Sequence, residues 1–178
     1  VLCYYDHFRA LTSLSRQKEK LYYVIQTEFI DGVEMHKWQN DWYTEHNNSP
    51  PKAVLHRMAK SLTQALVYVH KNRVYHLDVK PSNIIIRRSN GECVLIDFGL
   101  ACSHKSKDPD ATCEGTEGYG TPGYMSPDYA LHCLFNPQLK LCDEKTQSGT
   151  DIWALGLTIL AMVQGINIGE EFQTFYEE

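Results

Sequence analysis

Hydrophobic and polar positions divide the chain into segments of different period. The run LYYVIQTEFI, residues 21–30, is dense in β-branched and aromatic side chains and predicts a strand. The polar SRQKEK before it reads as a turn, and CYYDHF before that is its expected hairpin partner. Asp31-Gly32 breaks the strand, with a short helix expected after it. NNSPP, residues 47–51, is a loop. Beyond it Leu55, Met58, Ala59, Leu62, Ala65, Leu66 and Val69 recur on one helical face, predicting an amphipathic helix of roughly five turns. That helix delivers the chain to HLDVKPSN, where Pro81 bars further helix. Ile84–Ile86 and Val94–Ile96 are short β-branched runs around RRSNGE, whose Asn90-Gly91 is a hairpin signal. Residues 102–120, rich in Ser, Thr and Gly, read as a long loop. SGTDIWALGLTILAMVQG predicts a helix opened by Thr150 or Asp151, apolar on nearly all sides and therefore buried.

Composition adds bounds. The 178 residues suffice for one domain, and 43% hydrophobic content predicts a packed core. A net charge of -5, from 17 basic and 22 acidic residues, gives no sign of a nucleic-acid surface. No apolar run reaches the ~18 residues of a membrane span. The six cysteines form no C-x-x-C pair and follow no secretory signal, so reduced thiols in an intracellular, cytoplasmic or nuclear chain are expected. A zinc site from Cys102, His104 and Cys113 fits no common spacing. The opening on Val1, without an initiator Met, reads as part of a longer protein.

The 84–96 hairpin brings polar residues together. In an antiparallel pair the start of one strand lies beside the end of the other, so Asn83 and Asp97 should meet at the open end. Asp78 and Lys80 lie in the loop feeding that end. One or two hard oxygen ligands suit Mg²⁺ beside phosphate oxygens. A lysine suits phosphate charge, and a carboxylate off the metal suits a general base. Phosphoryl transfer uses all four. Taken alone, Asp97-Phe98-Gly99 is an ordinary turn, His76 a core histidine, Asp151 an N-cap and Glu34 a solvated charge.

Together the segments resemble the eukaryotic-type protein kinase family. HLDVKPSN resembles the catalytic-loop pattern H-R-D-x-x-x-x-N, with Leu77 where Arg is usual. DFG at 97–99 resembles the metal-binding motif, GTPGYMSPD at 120–128 the segment ending in Ala-Pro-Glu, and DIWALG at 151–156 the helix supporting the catalytic loop. The resemblance implies an α+β, kinase-like fold. Residues 1–30 would be the last strands of a truncated N-terminal lobe and the hinge. Residues 31–178 would be an incomplete, mostly helical C-terminal lobe with a small β-hairpin. It implies a Ser/Thr protein kinase that moves the ATP γ-phosphoryl group to protein hydroxyls. Asp78 would accept the substrate proton, Lys80 would steady the phosphoryl group, and Thr121 would bond back toward both. Asn83 and Asp97 would bind Mg²⁺. Thr27 would be the gatekeeper, Glu28 and Ile30 would offer backbone groups to adenine, Glu34 would reach the ribose, and Ile85 would lie under the ring. His76 and Phe98 would stack in the spine linking the lobes.

The departures carry further expectations. The family's Gly-rich loop, strand lysine and helix Glu have no counterpart here, so the isolated chain is expected to be inactive. Residues 103–118 and 129–147 read as loop insertions. In many kinases the Arg replaced by Leu77 pairs with a phosphate on the loop after DFG. Leucine has no donor, so Leu77 is expected among apolar neighbours, and phosphorylation of Ser103, Ser106, Thr112 or Thr116 is not expected to be the main switch. A pseudokinase or scaffold that binds partners without catalysis is the alternative. A kinase-like small-molecule phosphotransferase ranks last, since such enzymes usually lack a segment like GTPGYMSPD.

Overall fold

The computed structural model describes residues 4–12, 20–105, 113, 120–135 and 143–168. Strand β1 (Tyr4–Thr12) pairs antiparallel with β2 (Lys20–Thr27), Leu11 facing Leu21. β2 stops at Thr27, three residues short of the expected end, and residues 28–31 lie outside the strands, with Asp31 O accepting from Arg88 N at 3.0 Å. β3 (Gly32–Glu34) then leads into α1 (Met35–His46), which Asn47 closes in the left-handed conformation at φ 50°.

Helix α2 (Lys52–Lys71) follows and buries Met58, Leu62, Ala65, Leu66 and Val69 of the stripe read from the sequence; Leu55 and Ala59 are only partly covered. After β4 (Val74–Tyr75) and a 3₁₀ turn at Pro81–Asn83 come β5 (Ile84–Arg87) and β6 (Cys93–Leu95). Ile84 faces Leu95, and Gly91 supplies the positive φ of 69° that the reversal needs. The sheet order is β3-β5-β6. A Cβ at Gly32 would lie 2.6 Å from the Ile86 carbonyl oxygen, so glycine lets β3 lie flat on β5. β7 (Cys102–Ser103) pairs separately with β4.

The last helix departs from expectation. α4 (Glu144–Gln164) begins two turns earlier, capped by Asp143, whose Oδ1 accepts from Thr146 N at 2.8 Å. Thr150 and Asp151 therefore lie inside the helix, buried, and neither caps it. Nor is α4 covered all round. Ala154, Thr158, Ala161 and Met162 are buried, whereas Ile152, Trp153, Leu160 and Val163 are exposed. The segment expected as loop over 129–147 is helical at both ends: α3 (Pro127–Tyr129) runs into a π-type turn over Ala130–Phe135, and α4 opens at Glu144. Residues 136–142, and most of the expected loop over 103–118, lie outside the described residues.

The main core joins α2, α4 and the β5–β6 hairpin around Met58, Leu62, Ile84, Leu95 and Met162. Each such side chain, fully buried, contributes about 1.5–3 kcal/mol. A second cluster holds Tyr75, Leu77, Cys102, Cys113, Tyr129 and Cys133, with Met125 against it. Here the thiol expectation fails. Cys102 and Cys113 form a disulfide with Cα atoms 4.8 Å apart, and Cys133 is disulfide-bonded too. Spacing along the chain carried no C-x-x-C cue, because folding brings these cysteines together. The bond also removes both sulfurs as zinc ligands, which rules out the Cys102, His104, Cys113 site. Cys93 remains a free thiol, and burial pushes its pKa up to about 12, so it is inert. Among the described residues no helix is long and apolar enough to cross a membrane.

Candidate active site

The loop after β4 is held from beneath by one carboxylate. Asp151 is fully buried in α4 and accepts from His76 N at 2.9 Å, Leu77 N at 2.8 Å and His70 Nε2 at 2.8 Å. These bonds fix Leu77 at φ 63°, a left-handed conformation that costs a bulky residue about 1–2 kcal/mol. Asp97 is also left-handed, at φ 60°. Strained non-glycine residues held by surrounding bonds point to function. His76 is buried; its Nδ1 accepts from Asp78 N and its Nε2 donates to Ile96 O at 2.9 Å, the neutral tautomer. Its ring stands edge-on to Phe98, centroids 4.7 Å apart.

Above this support sits a polar network. Thr121 Oγ1 donates to Asp78 Oδ1 at 2.6 Å and accepts from Lys80 Nζ at 2.7 Å. Lys80 Nζ lies 2.8 Å from Asp78 Oδ2, which also accepts from Asn83 Nδ2 at 2.8 Å. Burial would raise the Asp78 carboxyl, but the bonds from Lys80, Thr121 and Asn83 outweigh it and hold the group below the ordinary carboxylate value. The carboxylate is therefore charged and oriented on both oxygens at neutral pH.

Asp97 is adjacent through the backbone, since Ile96 N donates to Asn83 O at 2.9 Å. Its own carboxylate is exposed and accepts from Gly99 N at 3.2 Å. No side-chain bond joins Asp97 to Asn83 or Asp78 among the described residues. With its amide nitrogen committed to Asp78, Asn83 keeps its carbonyl oxygen as an acceptor. One amide oxygen and one exposed carboxylate suit a magnesium ion that keeps waters and phosphate oxygens.

The remaining candidates lie on β5, on its partner β3 and on the chain just before β3. Glu34 faces Ile85 across the β3–β5 ladder, and its carboxylate pairs with His36 Nδ1 at 3.2 Å. Glu28 pairs with Arg87 at 3.0 Å, Thr27 Oγ1 donates to the Glu28 carbonyl at 3.4 Å, and Ile30 is buried. A cavity of about 370 Å³ opens beside Lys80 and Thr121, walled by His36, Gln39, Asn40 and Tyr124.

The sequence placed DIWALG, from Asp151, as the helix supporting the loop without giving the Asp151 side chain its role, and it missed His70 and Gly120. Asp151 anchors the loop, His70 bonds the same carboxylate, and Gly120 brings Thr121 in: at φ 126°, its Cβ would lie 2.5 Å from the Leu77 carbonyl oxygen. For Asp151 a signal existed, an acid set among apolar residues in TDIWALG, although the sequence offered it as an N-cap.

Residues 2–175 match the protein kinase domain family. The chain is 27% identical over 146 residues to Serine/threonine-protein kinase C of Synechocystis, covering 81% of this chain and 24% of that protein. It is 35% identical over 108 residues to Dual specificity protein kinase zak2 of Dictyostelium discoideum, covering 61% of this chain and 16% of that protein. It is 30% identical over 127 residues to Serine/threonine-protein kinase Kist of Mus musculus, covering 71% of this chain and 28% of that protein. The chain thus spans less than a third of the length of each of these relatives. A hairpin-borne polar site on a helical base and a family match over almost the whole chain lead to one conclusion: this is a member of the protein kinase domain family.

Proposed function

We propose that the chain is the hinge and much of the C-terminal lobe of a Ser/Thr protein kinase. Residues 1–30 would close an N-terminal lobe and form the hinge, and residues 31–178 would carry the catalytic loop and the segment after DFG. The observation that carries this reading is the Thr121 bridge between Asp78 and Lys80, with Asn83 on the same carboxylate.

In that reading Asp78 orients the hydroxyl of a protein Ser or Thr and takes its proton as the oxygen–phosphorus bond forms. Its low pKa makes it a weak base, so its main work is orientation, with proton transfer late. Lys80 offers its ammonium to the moving phosphoryl charge and ties that position to Thr121. Asn83 and Asp97 would hold Mg²⁺, which when bound neutralises phosphate oxygens. Thr27, Glu28, Ile30, Glu34 and Ile85 would bound the nucleotide. Phosphotransfer from ATP points to an intracellular, cytoplasmic or nuclear setting.

The test is transfer of labelled γ-phosphate from ATP to a protein substrate by the whole protein, followed by phosphoamino-acid analysis. Label on Ser and Thr is expected. Label on Tyr as well would give the dual specificity named for the zak2 relative, and no transfer would favour the scaffold reading.

A further inference from the structure

We propose that the Cys102–Cys113 disulfide, buried in one cluster with Leu77, is a redox-cleavable clasp that holds Cys113 and β7 against the catalytic loop. The inference goes beyond the kinase reading and rests on it only for a reducing compartment.

Three attachments converge on one place. Cys102 lies in β7 opposite Tyr75, and His76, Leu77 and Asp78 follow Tyr75 in the chain. At the other end of the segment Gly120 presses on the Leu77 carbonyl, and Thr121 bonds Asp78 and Lys80. The disulfide draws Cys113, from the middle of the segment, into the same cluster. Cys102 and Cys113 are 2% and 5% exposed, and Leu77 is 4% exposed against them. Among the described residues, the cluster around Leu77 is apolar. The neighbouring Arg73 is already paired with Glu144. An apolar cluster and its covalent bond therefore cover Leu77. In a reducing compartment such bonds are characteristically redox-sensing.

The chemistry is thiol–disulfide exchange. A dithiol reductant attacks one sulfur and forms a mixed disulfide, and its second thiol then displaces the cysteine. Two electrons and two protons pass to Cys102 and Cys113, which leave as thiols, and the reductant ends as its cyclic disulfide. Because both sulfurs are buried, attack requires the cluster to open, and the segment is freed of its cross-link once reduced.

The test uses the whole protein, oxidised and after dithiothreitol with alkylation. Non-reducing digestion with trypsin and a Glu-specific protease cuts between the cysteines at Lys105 and Lys107, and fragmentation locates the linked pair. Hydrogen exchange then follows peptides spanning 74–80 and 120–126. A Cys102–Cys113 linked peptide is expected. Reduction should speed exchange in both peptides by roughly tenfold or more. C102S/C113S should match the reduced protein and ignore dithiothreitol, while C93S should respond as wild type does. Absence of the linked peptide overturns the proposal, and so does equal exchange before and after reduction. A C102S/C113S protein that still responds to dithiothreitol assigns the effect to the Cys133 bond and also overturns it. Should C102S/C113S not fold, the alkylated wild-type protein decides between the same outcomes. These readouts stand even if no phosphotransfer is found.

Discussion

Replacing Asp151 by Asn should loosen the catalytic loop more than any other single-atom exchange in the molecule. The carboxylate is fully buried and accepts three bonds of 2.8 to 2.9 Å, from two backbone amides and His70. Asparagine keeps one oxygen and turns an NH₂ toward the other donors. A buried amide left without an acceptor costs about 1–3 kcal/mol. The remaining bonds also lose their charge assistance, which makes such bonds roughly twice as strong. Together these give about 3–5 kcal/mol, in the range for breaking a buried ionic partnership. The strain at Leu77, φ 63°, then goes unopposed. Urea unfolding of wild-type and Asp151→Asn protein measures the difference. Asp143→Ala, which removes only the exposed cap of the same helix, should cost about 0.5–2 kcal/mol. A loss below about 1 kcal/mol for Asp151→Asn would refute the claim that this carboxylate holds the loop.

At Leu77 the usual order of substitutions should invert. Alanine and glycine both lose the buried side chain, but glycine accepts φ 63° without strain, so Leu77→Gly should be the more stable by about 0.5–1 kcal/mol in thermal unfolding; alanine proving the better would show that the loop is not left-handed in solution. The carboxyl of Asp78 is held below its ordinary value of 3.8, so its contribution to stability is complete above that pH and is lost as pH falls through the lower folded value. The unfolding free energy of wild type should therefore fall more steeply below pH 4 or so than that of Asp78→Asn, and parallel curves would contradict this. Asp97→Asn should weaken nucleotide binding only when Mg²⁺ is present, by removing one ligand charge; titrations with and without Mg²⁺ that shift equally would remove Asp97 from the metal site.

The elements set by local period were legible in the sequence. The α2 stripe repeats at 3.6 residues, and the β5–β6 hairpin shows as two short β-branched runs around a turn signal. His76 beside Phe98, and Thr121 beside Asp78 and Lys80, had been reached from motif order, and the structure brings both groups together. What failed was set by tertiary context. The start of α4 moved to Asp143 because a cap outweighs the interior Gly149, and Asp151 was freed to serve the loop instead. The exposed side of α4 could not be told from its buried side, since Ile152 and Ala154 are both apolar. The Cys102–Cys113 bond depends on a chain path that no spacing rule encodes. Asn83 and Asp97 do lie side by side at the open end of the hairpin, joined through the Ile96 amide, and no side-chain bond links them among the described residues.

The central claim is that Asp78, gripped by Lys80, Thr121 and Asn83, is the proton acceptor of a phosphotransfer site. Its most direct test is the turnover of Asp78→Asn in the whole protein, measured beside its affinity for ATP. Turnover should fall by about 10²–10⁴-fold while ATP affinity stays near the wild-type value, because the exchange removes the acceptor and keeps its size. Unchanged turnover would contradict the account.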